Sequence, residues 1–485
     1  MVPSLPDDPP PRAPWKLPAA VVIVVGALVV WRKIVGSDMP PSPPQPIASA
    51  NVEPAPAPPA PPRCEEVSAE PFMIGDAPAE KPAAPADGGT ADPAEDIEDP
   101  TVPFAVEVGR GAVFGGGFAV GARRDEKTGA VAMVATLGLD GKGGKSVRLG
   151  RLRGDLDPPV VAGAGDAVLA VMVEPNAGHP AFGGGRALKV AKVQGDQVTW
   201  GPELPEGRDE SQALDVAASA QRAIVVWDDL VGTTDKRSVV MLATIDVATM
   251  KLVSPGRAIS GANEDAERPR LVARPGGYWL AYAVRGAADA KKKDKKHDDD
   301  DERELGETIT TSWIALMPLD ESGAPTAQSR AVTPKSGHVL GYDLELGDDG
   351  GALLAYRDDD TPTGSNGGRL LATLARLGGG NEARVLAEET AAAGMPDLLP
   401  GWISLASVNG ATRIAALSPR GELLDDLAPE KSLGIGVPVA ATRDAILWAR
   451  PMGKPMRLAV VRCKQRPVEA TSDAGAKDAS AGDGD

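Results

Sequence analysis

Apolar residues in this chain come in short runs broken by tight turns, and the runs repeat. Phe118, Met172, Trp227, Tyr282, Tyr356 and Trp448 each stand near the end of one phrase: a small-apolar pair, a Gly/Asp-type turn, then an apolar run. Successive members lie 54, 55, 55 and 74 residues apart, and the last gap is 92. The 74-residue gap holds a charged block at 287–306, and without those 20 residues it becomes 54. The 92-residue gap leaves room for one degenerate copy around 403–407. The chain reads as about seven copies of a roughly 55-residue all-β unit, the signature of a closed repeat architecture.

Within a copy the pattern predicts a first strand (160–162, 214–217, 270–273, 344–346), a tight turn (163–166, 219–222, 275–277, 347–351) and a second strand (168–173, 224–227, 279–284, 352–356). Turn chemistry makes the pair a hairpin. A third strand follows (187–193, 239–245, 310–317, 370–377, 413–417), and 197–200 reads as a fourth. Inner strands are nearly continuous Val/Ala/Leu runs, as strands covered on both faces should be. The fold expected is an all-β propeller of about seven four-stranded blades, with another all-β repeat or a sandwich as the alternative. The last copy has only three strands, at 437–442, 445–449 and 457–462. Residues 65–74 would supply its missing outer strand, closing the ring and removing an exposed edge.

The two cysteines fit that closure. Cys64 and Cys463 bracket the repeat region, and in a circular fold the two ends meet. A disulfide there would stabilise the ring by on the order of 5 kcal/mol and would require an oxidising compartment.

Outside the repeats the composition changes. Residues 1–16 are polar and Pro-rich. Residues 17–31 carry no charge, with Trp15 and Trp31 at their two ends; extended to 35 by Ile34 and Val35, the segment 17–35 is expected as an uncleaved transmembrane signal-anchor, with a cleaved signal peptide as the rival. Arg12 and Lys16 before the uncharged run balance Arg32 and Lys33 after it, so charge does not set its orientation; the disulfide does, placing the C-terminal part outside the cytoplasm. Residues 36–63 form a Pro/Ala-rich stalk. The domain spans 64–463, with 75–103 and 287–306 unable to pack for lack of apolar surface, and 464–485 forms an acidic tail. The expected location is the inner membrane, single-pass.

The net charge of −17 argues against nucleic acid, whose phosphates need clustered Lys and Arg. The repeats at 64–463 resemble those of bacterial β-propellers with sialidase-type units, although no clean Ser-x-Asp-x-Gly-x-x-Trp box is present. That resemblance implies a sialidase-like hydrolase as one function: three arginines, a Tyr nucleophile aided by Glu, and an Asp acid. The four tyrosines do not fit easily, because Tyr282 and Tyr356 sit at the repeat's packing position, Tyr278 at a turn and Tyr342 at a strand start. No Cys/His spacing suggests a metal site, and no cofactor is expected. The acidic clusters Asp228-Asp229 and Asp358-Asp359-Asp360 read as loop acids, with calcium binding the alternative. The favoured reading is a binding or scaffolding module for a protein or glycan of the cell envelope, with an envelope-assembly or transport accessory as a variant. Ligand-binding candidates follow from position alone. Asp157, Arg208, Glu210, Arg268 and His338 precede inner strands; Asp228, Asp229 and Asp358 follow second strands.

Overall fold

The computed structural model describes residues 63–68, 72–74, 105–126, 129–152, 157–175, 186–207, 213–231, 237–287, 309–359, 361, 368–387, 393–407, 412–452 and 455–464. These residues form seven antiparallel sheets, the blades of a propeller. The inner strands, blades 1 to 7, are Val106–Phe114, Val160–Ala164, Leu214–Ala218, Asp265–Arg274, Val339–Leu346, Ala393–Leu399 and Val437–Ala441. Each lies against the next, and the seventh returns to the first. The segments 17–35, 75–103, 464–485 and nearly all of 287–306 lie outside the described residues, apart from Lys464 and Ala287. Among the described residues no helix is long and apolar enough to cross a membrane.

The core is the set of seven blade-to-blade seams. Alternate residues of each second strand serve opposite seams: in blade 3, Val225 packs toward blade 2 and Ile224 toward blade 4. Both faces are therefore dry, which is why these strands carry no polar alternation. Trp and Tyr tips stitch the seams. Trp279 of blade 4 donates to the Gly350 carbonyl of blade 5 at 2.9 Å, and Trp402 of blade 6 to Thr442 at 3.1 Å. The period is one of blades rather than of residues. Second strands begin at 117, 167, 222, 277, 352, 402 and 446. Met172, Trp227 and Tyr282 hold the sixth position of theirs, whereas Phe118 holds the second, because blade 1 is shorter than the spacing assumed.

Blade 7 closes as expected. Its strands Val437–Ala441, Ile446–Pro451 and Met456–Cys463 are completed by Cys64–Glu66 and Phe72–Ile74 from the other end of the repeat region. Cys64 pairs in register with Cys463, and the two form a disulfide with Cα atoms 4.0 Å apart. Arg63 fastens the same point to blade 6. It pairs with Asp425, donates to the Ile414 carbonyl at 3.0 Å, and lies over the Trp402 ring at 5.8 Å.

Candidate functional site

Inner strands crowd the axis, so their backbones come close. A Cβ on Gly163 would stand 2.0 Å from the Val113 carbonyl oxygen of blade 1. Into this narrow space five inner strands project charge. Asp215 of blade 3 accepts the backbone amide of Leu271 in blade 4 at 2.8 Å. Asp343 of blade 5 accepts that of Leu398 in blade 6 at 2.7 Å. These are the same joint two blades apart, each tying an inner strand to its successor. Arg270 and Asp397 immediately precede the two amides and occupy matching places.

Arg110 is the member that crosses. From blade 1 it forms an ion pair with Asp343 of blade 5, whose side chain is 3% exposed, and donates to the Leu398 carbonyl of blade 6 at 2.9 Å. Blades 1 and 5 are not neighbours, so this bridge spans the axis. Glu345 lies 3.7 Å from the same guanidinium, and Arg270 lies 3.6 Å from Asp343. Beside the bridge is a cavity of about 220 Å³, with Arg110, Asp215, Arg270 and Glu345 at its polar end and Val161 and Val272 among its walls.

Four acids share two guanidiniums, and protonation reflects it. Burial works against the Arg110 charge, but Asp343 and Glu345 outweigh it and push its pKa up. Burial raises Asp215 and Glu345 despite the arginines. Asp397 is pushed up to about 6, by desolvation first and then by Asp343. The residue is exposed yet surrounded by the inner strands, which weakens hydration of the carboxylate.

The positional candidates fall elsewhere. Arg208 and Glu210 lie outside the described residues. Asp228 is buried and accepts the Arg268 amide of blade 4 at 3.1 Å; Asp229 accepts the Leu230 amide at 2.7 Å. Arg268 has φ +53°, and its carbonyl accepts the Tyr342 hydroxyl. Asp358 accepts the His338 amide at 2.9 Å, and the His338 ring sits 3.0 Å from the Asp359 carbonyl. The structure thus joins Asp228 to Arg268 and His338 to Asp358, in backbone-fastening roles. Asp157 stands apart at a second cavity. Among the described residues no group of three or more His, Cys, Asp or Glu converges to hold a metal ion. All four tyrosines are buried. Tyr278 donates to the Arg222 carbonyl at 2.9 Å and Tyr282 to Glu264 at 3.0 Å. Burial pushes Tyr356 up to about 12.

No family model and no curated protein sequence matches the chain. Solved structures align with it at low similarity. A polysaccharide lyase, Uly1, is 11% identical with a TM-score of 0.46, covering 74% of this chain and 90% of that one. The β-propeller domain of the Trilobed protease from Pyrococcus furiosus is 8% identical with a TM-score of 0.42, covering 76% and 98%. Hydrazine synthase from Kuenenia stuttgartiensis is 12% identical with a TM-score of 0.41, covering 71% and 93%. Likenesses of this size carry nothing about activity. The chain is a seven-bladed β-propeller on the count of its own sheets, and its tie to sialidase-type repeats rests on the sequence resemblance alone.

Proposed function

We propose that this protein is a non-catalytic binding or scaffolding module. In this reading it is an extracytoplasmic propeller, held at the inner membrane by one N-terminal helix, that recognises a protein or glycan of the cell envelope on its loop-bearing face. The observation that carries the reading is the Arg110–Asp343 bridge. A glycosidase on this fold needs an open axial pocket with free carboxylates. Here the axis is crossed by a guanidinium, and Asp215 and Asp343 are engaged with backbone amides. The buried tyrosines also lack the freedom a nucleophile requires. The Cys64–Cys463 disulfide supports the extracytoplasmic reading, since such bonds persist where the medium is oxidising.

One observation favours a second reading. Asp397, pushed up to about 6 by burial, would supply a protonated carboxyl, as a general acid needs, in mildly acidic solution. The two readings separate in one experiment. The full chain is presented to a glycan array and to crosslinking in intact envelope, while hydrolysis of fluorogenic glycosides is followed in parallel. Saturable binding without turnover supports the module. Turnover that Asp397→Asn abolishes would overturn it in favour of the hydrolase.

A further inference from the structure

A second cavity, of about 530 Å³, opens on the face where the inner strands begin. It lies over blade 7, walled by Val106, Val108, Pro158, Val437 and Met456. Its lip is apolar and exposed: Ile435 is 66% exposed, Val437 39%, and Met452, next to the lining residue Pro451, 51%. Single exposed apolar residues are ordinary, but several gathered on one cleft mark an interaction surface.

The polar part of the rim is acidic. Asp157 is exposed and has no hydrogen bond or ion pair among the described residues. Glu107, its side chain 63% exposed, lies 3.3 Å from Arg123. Of the nearby guanidiniums, Arg123 bridges Glu107 and Asp125, which leaves Asp157 as the unpaired acid of the rim among the described residues, and Arg450 is turned to the Leu433 carbonyl. The chain's own residues 75–104 are tied at both ends beside the cleft, since Ile74 pairs with Met456 and Ala105 leads into Val106. That stretch carries eight acidic residues and one lysine. Its charge has the sign of the rim, which disfavours it as the occupant.

We propose that the cleft over blade 7 docks a protein segment in which one large apolar side chain is flanked by lysines or arginines. The proposal rests on the binding-module reading and names its partner's chemistry. The apolar side chain enters between Ile435, Val437 and Met456. One flanking cation meets Asp157 and another the exposed side of Glu107 beside Arg123, and the chain's net negative charge steers them in.

The test uses the full chain and a display library of random dodecapeptides. The enriched pool should carry Lys or Arg on both sides of Leu, Ile, Phe or Trp. A selected peptide, titrated by fluorescence anisotropy, should lose about thirtyfold in affinity on Ile435→Asp, the size of a hot-spot loss at an apolar contact. Asp157→Lys should weaken it too, and added salt should weaken wild-type binding. Met452→Glu, across the lip, gives an independent reading if Ile435→Asp fails to fold. No enriched pool, a pool without basic flanks, or affinity indifferent to both lip variants would overturn the proposal. So would a clear gain in affinity when 75–104 is replaced by a Gly/Ser linker, which would give the cleft to the chain's own segment. Loss of this site with envelope crosslinking intact would leave the wider reading standing.

Discussion

Removing Arg110 should loosen the whole ring, because among the described residues it is the one side chain that ties blade 1 to blades 5 and 6 across the axis. Arg110→Met deletes the ion pair to Asp343 and the hydrogen bond to the Leu398 carbonyl. It leaves a carboxylate only 3% exposed, still held by the Leu344 and Leu398 amides at 2.9 and 2.7 Å. Breaking a buried pair costs about 3–5 kcal/mol, and Arg110, itself a third exposed, puts the expectation near the lower end. Unfolding entropy of about 2.1 cal/mol/K per residue, over roughly 300 residues, turns about 3 kcal/mol into a fall in Tm of about 5 °C. The assay is calorimetry on Arg110→Met, Asp343→Asn and the double variant. The cycle should return a coupling of about 2 kcal/mol, and a value below about 0.5 would refute the bridge. A pH series adds a second check. Burial already raises Glu345 and Asp397, and Arg110 opposes that rise in both. Losing Arg110 lifts both further, so the variant's deficit should shrink as the solution is acidified from about pH 7 to about pH 5.

The other expectations concern closure, crowding and titration. Cys64→Ala with Cys463→Ala opens a 399-residue loop, which costs about 6 kcal/mol by chain entropy and lowers Tm by about 9 °C in a melting experiment. Gly163→Ala puts a Cβ 2.0 Å from a blade 1 carbonyl, and a denaturant titration should show a loss of more than about 2 kcal/mol. Asp397 is held above its unfolded value, so its native form binds the extra proton between about pH 4 and pH 6, and its contribution to stability falls as pH rises through that window. Asp397→Asn should flatten that slope in pH-dependent melts, by about 1 kcal/mol once channel water is allowed for.

The fold was legible because each second strand is buried on both faces, which writes a blade into the chain as an apolar run behind a turn. Phe118 shows the limit: the run is readable, the register within it is not, because blades differ in length. Ring closure was readable from Cys64 and Cys463, whose positions only make sense if the ends meet. The axial cluster was missed for a physical reason. Arg110 and Asp343 are 233 residues apart, and no local pattern pairs them. A signal did exist. Asp215 is a lone acid inside an otherwise apolar inner strand, Asp343 shares its strand with one other acid, Glu345, and each meets an amide 56 or 55 residues ahead. Aligning the inner strands of the copies would have exposed that joint. Asp228 and Asp358 drew attention as loop acids, but carboxylates beside free backbone amides at strand ends tend to bind those amides, as both do here.

The central claim is a ring closed by its own two ends and working outside the cytoplasm. The direct test is a non-reducing peptide map of the protein from its native envelope, with thiols alkylated before lysis. A linked Cys64–Cys463 peptide in nearly all molecules is the result expected. Two alkylated thiols in intact, folded protein would contradict the clasp and remove the argument for the compartment.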